Sequence, residues 1–204
     1  MKILGIDIEW LGHDSFKILS DKVIYIDPFK IEAKEKADLI LITHDHFDHF
    51  SIEDINKIKK DSTIIIAPLI LKEKLSEAKI MKPEECLEVD KIKIEAVPAY
   101  NLDKPNHKQS SKYLGYILTI NNKRIYHAGD TDLIPEMNSI EADIALLPVS
   151  GKYVMDPEEA ANAANLIRPE VAIPMHYGSV IGSKEDAEKF KSAIIFRFYN
   201  ESSK

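Results

Sequence analysis

The sequence predicts an α/β protein that folds as one domain over residues 1–204. Short segments rich in Ile and Val alternate with segments that carry helix-capping residues, and this alternation recurs in both halves of the chain. A chain of 204 residues with 45% hydrophobic content can bury one sizeable core. The middle of the sequence has neither the composition of a linker nor an internal repeat. We therefore expect one continuous domain in which strands pack against helices.

The first half of the chain is predicted to consist mainly of strands. Ser51 is followed by two acidic residues, which indicates a helix cap and a helix that runs to Lys60. A second helix is predicted from Pro68 to Ala78. The predicted strands are Lys2–Ile8, Ser15–Leu19, Val23–Ile26, Leu39–Thr43, Thr63–Ala67 and Ile92–Pro98.

The second half repeats this mixture of strands and helices. Asn121 and Asn122 tolerate the left-handed backbone of a tight turn, so they predict a hairpin between two strands. Asp156 followed by Pro157 is typical of a capped helix start, and the alanine-rich segment after it predicts a helix to Ile167. The other predicted elements are the strands Tyr113–Ile120, Arg124–His127, Ile144–Pro148 and Val171–Met175, and a final helix over Ser183–Ser192.

Charge and composition narrow the range of partners. The formal net charge of −7 gives no overall basic field, so we do not expect nucleic acid as the main partner. No apolar run approaches the roughly 18 residues that a membrane helix needs, and acids come too early after Met1 for a secretory signal. Cys86 is the single cysteine, which excludes an intramolecular disulfide and suits a reducing compartment. We therefore expect a cytoplasmic protein; the sequence leaves its oligomeric state open.

The strongest chemical signal is the run over residues 43–49, which holds three histidines and two aspartates directly after an apolar segment. Side chains alternate on an extended chain, so His44 and His46 point the same way. A turn after His46 would bring Asp48 and His49 to the same cavity from a second direction. Imidazole nitrogen and carboxylate oxygen are ligands that zinc, manganese and iron accept. A polar turn after a buried strand is the alternative, but three histidines with two acids favour a metal site.

Three other polar residues follow predicted strands. Asp27, Asp130 and His176 each lie just after one, which is where α/β folds place their chemistry. Gly129 precedes Asp130, and Tyr177-Gly178 follows His176. These residues are therefore candidates for the same site as the histidine run.

In this order the motifs resemble the metallo-β-lactamase superfamily, whose mark is His-x-His-x-Asp-His followed by a distant His, a Gly-Asp and a final His. More narrowly, the chain is similar to small single-domain hydrolases of that superfamily, in the branches of L-ascorbate-6-phosphate lactonase and N-acylphosphatidylethanolamine phospholipase D. The resemblance implies a four-layer αβ/βα sandwich with the metals at one edge of the facing sheets. It is carried by the histidine run together with Gly12-His13, Asp27-Pro28, Val97–Asn101, His127–Thr131 and Met155–Ala160.

The resemblance also implies two divalent metal ions, with zinc as the first choice and manganese or iron as alternatives, since every ligand is nitrogen or oxygen. Two cations can together bind and deprotonate one bridging water. Asp48 would then orient this hydroxide and carry its proton to the leaving group. The implied ligands are His44 and His46 for the first metal, Asp48, His49 and His176 for the second, and Asp130 as the bridge.

One position departs from the superfamily pattern. Members commonly place a third histidine of the first site after Val-Pro-Ala-Tyr, and this chain has Asn101 there. His107 lies six residues further on in a polar loop and could fold back to supply the missing nitrogen. It could equally be a solvated loop histidine, which would leave the first metal with His44, His46 and the shared Asp130.

The remaining candidates have supporting or undecided roles. Asp27 resembles the superfamily's acid beneath the ligands and would orient a ligand histidine, although a plain turn residue before Pro28 is the alternative. His13 either touches substrate, serves as a structural histidine, or supplies the missing nitrogen if His107 does not. His127 is expected to be buried and hydrogen-bonded. Tyr100, Tyr153 and Tyr177 could line the mouth of the pocket or belong to the core.

These features predict a metal-dependent hydrolase. We expect it to cleave an ester-type bond, in a lactone or a phosphodiester, within a small-molecule substrate. The alternative is a non-catalytic metal-binding or regulatory module that keeps the fold. Asn101 favours that alternative, whereas Asp48, Asp130 and His176 argue against it.

Overall fold

The computed structural model describes residues 1–32 and 35–194, and its strands form two sheets. The strands of the first sheet lie side by side in chain order: β1 (Lys2–Ile3), β2 (Ile6–Gly12), β3 (Ser15–Leu19), β4 (Val23–Ile26), β5 (Leu39–Leu41), β6 (Ile64–Pro68) and β7 (Lys79–Met81). Neighbours from β1 to β4 pair antiparallel, and neighbours from β4 to β7 pair parallel.

The second sheet is also ordered along the chain. Its strands are β8 (Cys86–Val89), β9 (Ile92–Ala99), β10 (Tyr113–Ile120), β11 (Lys123–His127), β12 (Ile144–Pro148) and β13 (Val171–Met175). The first four pair antiparallel, whereas β11, β12 and β13 pair parallel. Asn121 and Asn122 both have positive φ, at 51° and 61°, and form the tight hairpin turn that the sequence predicts.

Three α-helices complete the described fold: α1 (Ile52–Ile58), α2 (Pro157–Ile167) and α3 (Lys184–Ala193). The Ser51 hydroxyl accepts the Asp54 N–H and caps α1, while Asp156 and Glu159 form a reciprocal capping box on α2. Short 3₁₀ segments occur at Leu69–Leu71, Gln109–Ser111 and Pro135–Ser139. Within the part of the chain that the structure describes, no helix has the length and apolar character required to span a membrane.

Side-chain alternation on the first sheet separates two cores. Leu39 and Leu41 of β5 belong to the large core shared with the second sheet, whereas Ile40 packs in a smaller core with residues of α1. The buried alanines of α2 belong to the large core and allow this helix to lie close to the second sheet. The order of layers is therefore α1, first sheet, second sheet, and α2 with α3. This confirms the predicted four-layer αβ/βα sandwich.

The structure corrects two predicted elements in the first half. The single strand predicted over Lys2–Ile8 is two antiparallel strands, because Leu4 and Gly5 take positive φ and turn the chain between β1 and β2. The helix predicted from Pro68 to Ala78 was also wrong. Since β6 and β7 are parallel neighbours joined by residues 69–78 alone, the connection forms one 3₁₀ turn at Leu69–Leu71 and further turns.

The short strands β7 and β8 were not predicted from the sequence. Cys86 is exposed on β8, and β8 is an edge strand of the second sheet.

Candidate metal centre

Loops from both sheets meet at one edge and bring the predicted site residues together. The backbone N–H of Leu114 donates to Thr43 O at 3.0 Å, and that of His176 donates to His13 O at 3.1 Å. His13, Asp27 and His176 all have positive φ, at 52°, 43° and 60°. Non-glycine residues rarely adopt this backbone conformation, and such positions cluster at functional sites.

Gly129 allows the β11 loop to approach the β5 loop closely. Its φ is +64°, and a Cβ at this position would lie 2.7 Å from Leu114 O and 3.3 Å from the Thr43 side chain. Any larger residue would therefore push these loops apart. The sequence Gly129-Asp130 thus places the Asp130 carboxylate against the histidine run.

A first donor group consists of His44, His46, His107 and Asp130. His44 Nε2 lies 3.1 Å from His46 Nδ1, and His107 Nε2 lies 3.2 Å from the same atom. Asp130 Oδ2 lies 3.2 Å from His107 Nε2 and 3.8 Å from His44 Nε2. A tetrahedral ion with bonds of about 2.0–2.1 Å requires ligand atoms about 3.3–3.4 Å apart. This donor group therefore fits a metal ion.

Hydrogen bonds on the outer ring nitrogens hold two of these imidazoles. His107 Nδ1–H donates to Asn101 Oδ1 at 2.9 Å and also lies 3.1 Å from Tyr153 O. His44 Nδ1–H donates to the Thr43 hydroxyl at 2.9 Å. Because Nδ1 carries the proton in both rings, each Nε2 directs a free lone pair into the donor group.

A second donor group consists of Asp48, His49, His176 and Asp130. Asp130 Oδ1 lies 3.3 Å from His49 Nε2, and its Oδ2 lies 3.3 Å from His176 Nε2. Ligand atoms of Asp48, His49 and His176 lie within 4.8 Å of one another. Both His49 Nε2 and Asp130 Oδ1 are buried without a hydrogen-bond partner. Buried polar atoms are normally paired, so this donor group also fits a cation.

Asp27 lies beneath both donor groups and is fully buried. Its Oδ2 accepts His49 Nδ1–H at 2.8 Å and the Thr43 hydroxyl at 2.5 Å, while its Oδ1 accepts the Thr43 backbone N–H at 2.8 Å. One carboxylate thus fixes His49 directly and His44 through Thr43. This is the orienting position that the resemblance implies.

The two other histidines have different surroundings. His13 Nε2 donates to Asp48 Oδ2 at 3.0 Å, so His13 lies beside the second donor group rather than beside Asn101. His127 is fully buried, and its Nε2–H donates to Asp14 O at 2.9 Å. It is therefore hydrogen-bonded within the protein.

The histidines of the two donor groups differ in the direction of their pKa shifts. Burial lowers the pKa of His44 well below its usual value, helped by the positive charge of neighbouring histidines. Burial also opposes a charge on His49 and His176, but the carboxylates around them outweigh it. Asp130 and Asp27 raise the pKa of His49 to about 10. Asp130 and Asp14 raise the pKa of His176 to about 8. The second donor group thus attracts positive charge more strongly than the first.

Asp48 is held in its charged form. Burial would raise the pKa of its carboxyl group, but the hydrogen bond from His13 and the nearby His49 outweigh this and lower the pKa.

Two residues of the site were not among the candidates predicted from the sequence. Ser150 follows β12, and its hydroxyl lies 2.7 Å from His176 Nδ1. Asp14 is fully buried within 4.8 Å of ligand atoms of His49, Asp130 and His176. The signals available were the position of Ser150 after a strand and that of Asp14 directly after Gly12-His13.

A cavity of about 320 Å³ opens onto both donor groups. This lies at the small end of the usual range for ligand pockets, about 300–1,000 Å³. The lining residues are His46, Phe47, Asp48, Asn106, His107, Asp130, Tyr153, His176, Val180 and Ile181.

Comparison with known proteins agrees with this geometry. The model of a family described as "Beta-lactamase superfamily domain" matches residues 7–176. A relative from Thermoplasma acidophilum, named a metal-dependent hydrolase, is 36% identical over 205 positions that cover 92% of this chain and 90% of the relative. A metal-dependent hydrolase from Thermococcus onnurineus is 34% identical over 93% of this chain and 92% of its own length.

Solved structures give the same result. A crystal structure from Parabacteroides distasonis, also named as a metal-dependent hydrolase, has a TM-score of 0.83 and 35% identity, covering 95% of this chain and 92% of that one. A metallo hydrolase from Ignicoccus hospitalis has a TM-score of 0.78 and 27% identity, covering 95% and 94%.

Proposed function

Since the chain belongs to the metallo-β-lactamase superfamily and is a metal-dependent hydrolase, we propose that it cleaves an ester-type bond in a small molecule with the help of two divalent metal ions. The bond is that of a lactone or a phosphodiester. The observation that carries this proposal is the position of Asp130, whose two oxygens lie within 3.3 Å of imidazole nitrogens from both donor groups. A carboxylate between two sets of ligands supports a bridging role for Asp130.

Two bound cations supply an activated water and stabilise the negative charge that develops on the substrate oxygen. Zinc is the first choice of metal, with manganese and iron as alternatives. The ligand roles follow the donor groups: His44, His46 and His107 at the first ion, Asp48, His49 and His176 at the second, and Asp130 between them.

Asp48 is the residue we assign to proton transfer. It belongs to the second donor group and also lines the cavity, so its carboxylate lies between the proposed ion site and the space for a substrate. The hydrogen bond from His13 fixes its orientation and keeps it ionised. With the ions bound, Asp48 would accept the proton of the water and pass it to the leaving oxygen.

The cavity favours a substrate with an apolar group next to the bond that is cleaved. Phe47, Tyr153, Val180 and Ile181 form its apolar lining, and Phe47 is 68% exposed. None of the described residues that line the cavity is Lys or Arg, so the walls provide no cation for an additional phosphate group. Because the apolar walls also do not compensate the negative charge of a phosphodiester, we place a lactone ahead of a phosphodiester.

Asn101 is no longer a reason to favour the alternative function, that of a non-catalytic metal-binding module. Its Oδ1 accepts hydrogen bonds from the backbone N–H and the ring of His107. Its presence is therefore compatible with a complete first donor group.

The proposal is tested with metal-loaded protein, an alkyl-substituted lactone and a bis-aryl phosphodiester. We expect turnover of the lactone, abolished by a chelator, and slower turnover of the phosphodiester. Asp48→Asn should lower kcat by about 10²–10⁴-fold, which is the usual contribution of a positioned acid or base. Asp45→Asn is the matched control, because Asp45 belongs to the same run but bonds Lys74 and Tyr113. Protein that holds two ions and turns over neither substrate would contradict the proposal.

A further inference from the structure

Asp14 is a buried carboxylate with no hydrogen-bond partner. Its exposed fraction is 0%, and neither Oδ1 nor Oδ2 has a donor within bonding distance. A buried charged group without a partner is strongly unfavourable, so burial raises the pKa of Asp14 well above its usual range, and the ionised carboxylate would need a cation beside it. The packing of the fold therefore does not by itself explain why an acidic residue is buried at position 14.

The charged groups that lie near Asp14 do not donate a hydrogen bond to it. The ring atom of His49 that lies 3.9 Å from Asp14 Oδ2 is Nδ1, and its N–H is donated to Asp27 at 2.8 Å. The nearby Asp130 brings a second carboxylate, whose Oδ1 is likewise unpartnered. Within the described residues, no lysine or arginine forms an ion pair with Asp14. Two buried carboxylates therefore lie close together, and the cations beside them within the described residues are His49 and His176, which are themselves candidate ligands.

A metal ion at the second donor group would satisfy both of these carboxylates. Ligand atoms of Asp14, His49, Asp130 and His176 lie within 4.8 Å of one another. In an octahedral complex with bonds of about 2.1 Å, adjacent ligands are about 3 Å apart and opposite ligands about 4.2 Å apart. The set is therefore compact enough to surround one ion.

We propose that Asp14 donates a carboxylate oxygen to the ion of the second donor group. The inference rests on the two-ion site of the proposed function. It makes the second site rich in carboxylate, from Asp14, Asp48 and Asp130, whereas the first site is rich in imidazole. Carboxylate ligands suit Mn²⁺, and imidazole suits zinc. The two sites should consequently differ in metal preference, with Mn²⁺ favoured at the second.

The test is calorimetric titration of Mn²⁺ into chelator-treated full-length protein, with thermal melts of the same samples. Wild-type protein should bind two ions. Asp14→Asn should weaken one binding step by about tenfold or more and leave the other unchanged, on the scale known for residues around metal sites. The affected step is identified by His176→Ala, which removes a ligand of the second ion. Asp54→Asn is the matched control, because Asp54 is also buried but is bonded to Lys57 and to backbone N–H groups.

The melts separate a ligand from a structural residue. Without metal, Asp14→Asn should melt close to the wild-type temperature, because the amide has nearly the same shape as the buried carboxyl group, and Mn²⁺ should raise the melting temperature less than in wild type. Asp14→Ser is a second variant for the same readouts. The inference is overturned if both variants bind two ions with wild-type affinity, or if their metal-free melting temperatures fall while the Mn²⁺-induced rise stays unchanged. Two-ion protein that lacks esterase activity would contradict the proposed function and leave the Asp14 result standing.

Discussion

Replacement of Asn101 should weaken metal binding at the first site even though Asn101 contributes no ligand atom there. Its Oδ1 accepts the backbone N–H of His107 at 3.1 Å and the ring Nδ1–H at 2.9 Å. Its own amide donates to Asp132 Oδ1 and to Tyr153 O, which fixes the Oδ1 position. Asn101→Ala therefore releases the loop and the ring orientation together.

The magnitude follows from the two hydrogen bonds to His107. Each is worth about 0.5–1.5 kcal/mol net, so the loss of both removes about 1–3 kcal/mol of positioning. If all of this appears in metal binding, the first step weakens by about 5–150-fold, since 1.4 kcal/mol corresponds to tenfold. His107→Ala removes the nitrogen itself and should cost at least as much. The second binding step should change little in either variant.

Zinc titration of chelator-treated protein, resolved into two binding steps, measures these effects. Asn106→Ala removes an amide from the same loop and is the matched control. Wild-type affinity at both steps in His107→Ala would refute the assignment of His107 as a ligand. A weakened His107→Ala step together with an unchanged Asn101→Ala step would keep the ligand but refute the role of Asn101 in holding it.

Three further changes have defined outcomes. Asp130→Ala should reduce bound metal at both sites and abolish activity, as measured by elemental analysis and turnover, and two retained ions per chain would exclude a bridging role. Asp27→Asn should weaken both sites by about 10–100-fold, because its carboxylate orients ligands of each; unchanged titration steps would contradict this. Metal uptake should release protons at pH 7, and affinity should rise with pH up to about 10, less steeply above about 8, because the pKa of His176 is about 8 and that of His49 about 10 in the metal-free protein. Calorimetry in buffers with different ionisation enthalpies measures this release, and a proton count of zero would refute it.

The periodic elements of the fold were predictable from sequence because their signals are local. The hairpin at Asn121 and Asn122 and the capped helix after Asp156 depend on a few adjacent residues, and both occur as predicted. The connection over residues 69–78 was misinterpreted because its apolar residues suit a helix. Its actual form is set by the parallel pairing of β7 with β6, which is a long-range contact with no local signal.

The distinction between local signals and long-range contacts also applies to the candidate metal centre. The residues after predicted strands, among them Asp130 and His176, could be proposed because strand ends gather at one edge. The position of His107 could not be decided, since it depends on how a polar loop folds back. From the sequence, Asn101 was the departure and His107 a possible source of the missing nitrogen, whereas in the structure the two are hydrogen-bonded partners. The position of Asp14 directly after Gly12-His13 was too weak a signal, because a single acid there has no evident role until its burial is known.

The buried charges of this site make metal binding depend on the release of a proton. Asp14, Asp27 and Asp130 are buried within a few ångströms of His49, and they raise its pKa to about 10 in the metal-free protein. A proton on His49 thus takes the place of part of the positive charge that an ion would bring. When an ion binds through Nε2, that proton has to leave, while the Nδ1–H bond to Asp27 is retained. The carboxylates that would tighten the hold on a metal are therefore the same groups that make its binding dependent on pH.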